Sequence, residues 1–119
     1  MINYYKPSYI GFNEHALTFQ CDGVVERGML VTMGYSGAVR KAKENEAFIG
    51  KVIATNSDFA TVQVVGYIEC ESDKEIPVGR IKLVSDGYDC VSESDDGLEV
   101  WAINSELDED GEHTVGFLL

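Results

Sequence analysis

The residues best suited to chemistry are three cysteines and two histidines, and their spacing brings none of them together. Cys21, Cys70 and Cys90 are far apart and form no C-x-x-C motif, while His15 and His113 lie near opposite ends of the chain. A zinc site needs several such ligands at short spacing, and a nucleophilic cysteine needs a histidine base beside it. We therefore predict no metal site and no catalytic site, and we interpret the cysteines as reduced, packed side chains of a cytosolic protein. An enzyme that uses a Cys–His pair is the alternative.

One acidic segment resembles the first half of a calcium-binding loop. It places oxygen ligands at Glu106, Asp108 and Asp110 and a turn-forming glycine at Gly111. The twelfth position of such a loop would be Phe117, which cannot supply a carboxylate, and no helices are predicted on either side. We interpret this segment as a solvated hairpin turn, and the sequence predicts no cofactor.

The charge of the chain excludes one large class of partners. Its 119 residues contain 21 acidic and nine basic side chains, and the formal net charge is −12. Nucleic-acid binding requires clustered Lys and Arg, which the sequence lacks, so we expect no nucleic-acid partner. A basic protein surface is a compatible partner, and solubility alone also explains the acidity. No apolar run reaches the ~20 residues that cross a bilayer, and no signal-peptide pattern is present, so we expect neither insertion into a membrane nor secretion.

The clearest structural pattern lies in residues 46–70. Apolar and polar residues alternate from Phe59 to Cys70, which predicts one long strand with a single buried face. Residues 48–54 alternate as well, and the polar link 55–58 predicts that the two runs pair as an antiparallel hairpin. Gly66 interrupts the long strand, and a glycine at such a place marks a bulge or a bend.

Other segments alternate in the same way and complete an all-β chain. They are residues 16–21, 29–33, 38–40, 80–84, 88–91, 98–103 and 114–119. The charge-rich residues 41–46 are too short for a stable helix and predict a surface loop with at most one helical turn. We expect a small antiparallel β-barrel or sandwich, in which the apolar C-terminal strand must be paired within a sheet.

The two halves of the domain contain similar patterns at similar intervals. The pairs are Val25-x-x-Gly28 with Ile76-x-x-Gly79, and residues 65–68 with residues 115–118. One supersecondary unit used twice produces such an echo, although an all-β chain can also produce it by chance. The predicted organisation is an N-terminal arm, residues 1–15, followed by a single β domain, residues 16–119, with repeats at 24–69 and 75–119.

The N-terminal arm is rich in aromatic residues and has no regular period. Tyr4, Tyr5, Tyr9 and Phe12 surround a proline and a glycine. Aromatic side chains are enriched at protein interfaces, so we predict that these four residues bind a partner. Packing of the arm onto its own domain is the alternative.

Between residue 16 and the C-terminus, several stretches carry glycines and β-branched pairs at set intervals. They are residues 16–19, 25–31, 37–39, 48–52, 60–69, 78–87 and 114–119. Together these stretches resemble the small capsid cement, or head decoration, proteins of tailed bacteriophages, in the compact form carried by phages of Gram-positive bacteria. The arm is outside the resemblance, and the acidic residues 106–112 depart from the usual pattern.

The resemblance implies a virion structural protein and not an enzyme. Such a protein is made in the cytoplasm of the bacterial host, binds the major capsid protein on the outer surface of the head, and assembles as a homo-oligomer, with a trimer favoured. The alternative is another phage β-module, such as a head fibre or a carbohydrate-adhesion protein. That function requires Tyr35, Tyr67, Tyr88 and Trp101 to form an exposed patch, whereas their alternation within strands predicts core or lateral packing.

Overall fold

A computed structural model describes residues 15–119, which form ten strands and one short 3-10 helix at Tyr35–Gly37. The prediction of an all-β fold with at most one short helical turn is confirmed, although that turn is not in residues 41–46. No helix in this part of the chain is long and apolar enough to cross a membrane. The strands are β1 His15–Gln20, β2 Leu30–Met33, β3 Val39–Lys41, β4 Gly50–Asn56, β5 Phe59–Val65, β6 Tyr67–Ser72, β7 Gly79–Ser85, β8 Val91–Glu93, β9 Leu98–Leu107 and β10 His113–Leu118.

The first five strands form one antiparallel sheet in the order β1-β5-β4-β2-β3. A single parallel bridge between Cys21 and Val39 brings the two outer strands together at one end. The inner face of the sheet buries a compact apolar cluster. Its members are Met29, Val31, Val39, Val52, Ala60 and Val62.

The last five strands form a closed barrel, in which each strand pairs with two neighbours in the order β10-β6-β8-β7-β9. The ring closes through one parallel bridge between Ser72 and Val91. The C-terminal strand β10 lies between β6 and β9, so the prediction that it is paired within a sheet is confirmed. Its apolar side chains Val115 and Phe117 are fully buried in the barrel.

The two sheets have the same strand order when β1 to β5 are matched with β6 to β10. A bulge also occurs at the equivalent place in each, since the register shifts between Val52 and Ala54 in β4 and between Ala102 and Asn104 in β9. These units span residues 15–65 and 67–118, and both begin earlier than the repeats predicted at 24–69 and 75–119. His15, which was assigned to the arm, is the first residue of β1.

The long strand predicted from Phe59 to Cys70 is wrong as a single element. It divides at Gly66, which has a positive φ of 112°, and β5 and β6 enter different sheets. The backbone turns here because glycine adopts positive φ without steric cost. The buried face is continuous across the break, but Ala60 belongs to the first core whereas Ile68 belongs to the second. The predicted antiparallel hairpin of β4 and β5 is confirmed.

The connection between β3 and β4 packs the first unit against the second. Phe48 from this connection is buried in the second core, where its ring meets that of Phe117 edge-on at a centroid distance of 6.0 Å. Two backbone hydrogen bonds link the same connection to β7. Ser85 N donates to Glu46 O at 2.9 Å, and Asn45 N donates to Ser85 O at 2.9 Å. The first unit therefore contributes core side chains to the second.

The strand predicted at residues 88–91 is also wrong, because β8 begins only at Val91. The Asp86 carboxylate accepts hydrogen bonds from the backbone N–H groups of Tyr88 at 2.8 Å and Cys90 at 3.2 Å. A short acidic side chain that bonds the backbone ahead of it favours a turn over a strand. Tyr88 therefore lies in a bend and leaves the sheet.

Candidate binding surface

The predicted partner-binding residues of the arm, Tyr4, Tyr5, Tyr9 and Phe12, lie outside the described residues. The candidate surface described below lies within residues 15–119. Four aromatic side chains there are exposed: Tyr35 at 86%, Trp101 at 56%, Phe59 at 50% and Tyr88 at 43%. The predicted core packing is wrong for the two tyrosines and for Trp101, although Trp101 has lateral partners on both neighbouring strands. Tyr67, the fourth aromatic residue of that prediction, is half-buried.

Trp101 lies in the middle of a row on the outside of the closed barrel. It pairs with Arg80 of β7 on one side and with Leu118 of β10 on the other, and Leu118 pairs with Tyr67 of β6. Residues directly opposite each other in antiparallel strands share one face of the sheet. We call these four residues, Arg80, Trp101, Leu118 and Tyr67, the Trp101 row.

The orientation of Trp101 follows from its neighbours along β9. Val100 and Ala102 point into the barrel and are buried, so Glu99 and Trp101 point outward. This signal was present in the sequence, because the charged Glu99 shares the Trp101 side of the alternating pattern. Alternation separates two faces, and the charged residue is what identifies the outer one.

One end of the row is supported by a glycine. A Cβ atom at Gly116 of β10 would lie 2.0 Å from the hydroxyl oxygen of Tyr67, so only glycine leaves room for this ring. The Tyr67 hydroxyl donates to Glu69 Oε2 at 3.1 Å. Gly116 therefore lets the tyrosine lie across β10 beside Leu118, which broadens the row.

Charged side chains surround the other end. Arg80 donates from its Nε to Glu99 Oε1 at 2.5 Å, and both side chains remain well exposed. A shallow depression next to this ion pair is lined by polar groups, among them Lys82, Glu93 and Asp95. An exposed tryptophan bordered by charged groups is typical of a protein contact surface, where apolar anchors are ringed by a polar rim.

A second candidate is a cluster of Asp86, Asp89 and Cys90, whose possible ligand atoms lie within 4.8 Å of one another. The Cys90 thiol donates to Asp89 Oδ1 at 3.4 Å. Partial burial, reinforced by that hydrogen bond, raises the pKa of Cys90 to about 12, so the thiol is protonated at neutral pH. A protonated thiol is a poor metal ligand and a poor nucleophile. The Asp86 carboxylate is already used by the backbone, so the cluster serves the turn.

Within residues 15–119, the other chemistry-bearing side chains do not assemble into a site. Burial raises the pKa of Cys70 to about 12, and burial also raises the pKa of Cys21. Asp108 forms the β9–β10 turn, where its Oδ1 accepts from the backbone N–H groups of Asp110 at 2.9 Å and Glu112 at 2.8 Å. The prediction of a hairpin turn in this acidic segment is confirmed.

Comparison with known proteins finds no protein-family model and no curated protein that matches the chain. Fold alone does not determine function, which depends on the geometry and chemistry of the site. Among the described residues, the Trp101 row offers the surface best suited to recognition by contact.

Proposed function

We propose that the chain is a virion structural protein that binds the outer surface of a phage capsid and stabilises the head. It would be made in the cytoplasm of the bacterial host and come to rest on the capsid surface. The resemblance of residues 16–119 to capsid cement proteins supports this role. The observation that carries it is the exposure of Trp101 at the centre of an outer barrel face.

The proposed partner is the major capsid protein. A tryptophan held on a closed barrel loses little conformational freedom on binding, and aromatic anchors of this kind contribute most of the energy of many interfaces. The net charge of −12 favours a basic partner surface and disfavours DNA. The resemblance further supports a homo-oligomer, with a trimer favoured, and the arm residues Tyr4, Tyr5, Tyr9 and Phe12 would add a second contact.

Co-sedimentation with purified heads that lack this protein tests the proposal. Removing a hot-spot side chain costs about 2 kcal/mol or more, so Trp101→Ala should weaken head binding at least about 30-fold. The matched control is Tyr35→Ala, which removes a more exposed aromatic side chain from the 3-10 helix of the first unit and should leave binding unchanged. Failure of the wild-type protein to bind heads contradicts the proposed function, and equal binding by both variants contradicts the assigned surface.

The contribution of the arm is measured in the same assay. A variant without residues 1–11 should keep the circular dichroism spectrum of the β domain, because every strand described begins at or after His15. Its binding to heads should be reduced. Unchanged binding would remove Tyr4, Tyr5 and Tyr9 from the proposed contact surface.

A head fibre or carbohydrate-adhesion protein is the second candidate. The individual exposure of Tyr35, Tyr88 and Trp101 favours it, because sugars stack on exposed aromatic rings. The four-residue patch that this function requires is not complete, since Tyr67 is half-buried. Binding to purified host cell-wall polysaccharide, with loss in Trp101→Ala and no binding to heads, would favour this function over the capsid role.

A further inference from the structure

The strand β1 is a free edge of the first sheet. It pairs with β5 from His15 to Gln20, and no other strand among the described residues runs along its second side. The bridge from Cys21 to Val39 touches only its end. A free edge presents unpaired N–H and C=O groups that can pair with another strand.

This edge lacks the charges that normally protect such strands. The six residues of β1 and the seven of β5 contain no Asp, Glu, Lys or Arg, in a chain where 25% of residues are charged. The opposite outer strand of the sheet, β3, carries Arg40 and Lys41. Charged side chains on an edge strand discourage pairing with other chains. β3 has this protection against pairing and β1 lacks it.

An apolar side chain on β1 is also left uncovered. Leu17 lies opposite the fully buried Val62, and the equivalent residue of the second unit, Ile68, lies opposite the fully buried Phe117. Ile68 is 3% exposed, but Leu17 is 53% exposed. Leu17 is thus an inward-facing residue of the first sheet that the described residues leave half exposed.

We propose that β1 is a self-association edge, where β1 of one copy pairs antiparallel with β1 of a second copy about a two-fold axis. The backbone groups of the two strands would bond to each other, and each Leu17 would be covered by the partner's strand. Such a contact is isologous and joins two copies only, so this edge by itself gives a dimer. The trimer that the resemblance favours would need a separate interface.

The charge distribution argues for a second copy as the occupant. Two chains of net charge −12 repel each other wherever their acidic surfaces approach. Repulsion between exposed charges is screened beyond about 8 Å at physiological salt, so a local patch without charges permits close approach. The β1–β5 surface is such a patch and meets its own copy without placing like charges opposite each other.

Sedimentation equilibrium of the full chain tests the proposal. The wild-type protein should be a dimer at roughly 100 μM, well above a micromolar dissociation constant. Thr18→Lys places a positive charge on each of the two facing strands and should raise the dimer dissociation constant at least tenfold. The control is Thr61→Lys, because Thr61 lies directly opposite Thr18 on β5, one strand away from the edge. It should leave the dimer intact, with circular dichroism reporting the fold of both variants.

Several results would overturn the proposal. A wild-type monomer would mean that the edge is unoccupied or covered by residues 1–14 of the same chain, and a trimer would require a different interface. A dimer equally stable in Thr18→Lys would place the contact elsewhere. The proposal does not rest on capsid binding, because Trp101→Ala should remain a dimer and Thr18→Lys should still bind heads.

Discussion

The two sheets share one strand order, yet their first strands are buried to very different degrees. β6 alternates between buried and more exposed residues, whereas β1 is exposed at every position except the half-buried Phe19. The cause lies in what covers each strand. Lys51 Nζ of the first unit donates to Glu69 O of β6 at 2.8 Å, and Phe48 packs on Phe117, the partner of Ile68. No described residue of the second unit covers β1 in this way.

The connections that follow the third strand of each unit explain this asymmetry. In the first unit, residues 42–49 are long enough to carry Ala42 and Phe48 into the second core. In the second unit, the corresponding residues 94–97 form a tight turn in which Gly97 N donates to Ser94 O at 3.0 Å. The same strand order therefore gives unequal burial, because one connection reaches the neighbouring unit and the other does not.

The largest effect is expected from Phe48→Ala. The ring is fully buried in the second core, and removing a buried phenylalanine costs about 3–5 kcal/mol of unfolding free energy. Urea denaturation measures the loss. Phe59→Ala is the matched control, since its ring is half exposed on β5 and should cost far less. Equal losses in the two variants would mean that Phe48 does not join the units.

The equivalent positions Ile68 and Leu17 provide the next comparison. Ile68→Ala should destabilise the protein by about 2–4 kcal/mol, because the side chain is buried in a close-packed core. Leu17→Ala should cost less than about 1 kcal/mol in the monomer, because half of its surface already meets water. The measurement is made at low protein concentration, so that association does not contribute. A large loss for monomeric Leu17→Ala would contradict the exposed edge.

A smaller effect is expected from the ion pair that holds the long connection. Hydrogen bonds from the Arg40 guanidinium at 2.8 Å, and then from the Lys43 backbone N–H, lower the pKa of Glu46 to about 2. A carboxyl whose pKa is depressed by folding stabilises the protein above its ordinary pKa. Because Glu46 is partly exposed, Glu46→Gln should cost only about 1 kcal/mol at pH 7.

The pH dependence separates this ion pair from a general effect of the substitution. The difference between wild type and Glu46→Gln should shrink as the pH falls from about 4.5 to about 2, where the wild-type carboxyl takes up its proton. Glu99→Gln serves as the control, because its ion pair with Arg80 is more exposed and should contribute less. A difference that persists unchanged at pH 2 would rule out the ion pair as its cause.

Local patterns were sufficient for the fold class and for several elements. Alternation identified the β4–β5 hairpin and the position of β10, because a pleated strand with one buried face repeats every two residues. The same patterns failed where the backbone turns from one sheet into the other without interrupting the alternation. The inward face runs unbroken through Gly66, so nothing in the spacing of Ala60 and Ile68 shows that they enter different cores.

The sequence by itself determined most of the strands, the buried face of the β4–β5 hairpin and the acidic β9–β10 turn, because each depends on neighbours a few residues away. Tertiary structure alone decided that Phe48 fills the second core, that Leu17 stays uncovered and that Trp101 stands at the centre of an outer row. Those outcomes depend on which strands become neighbours. Strand neighbours are set by contacts between residues far apart in the chain, which a period of two does not encode.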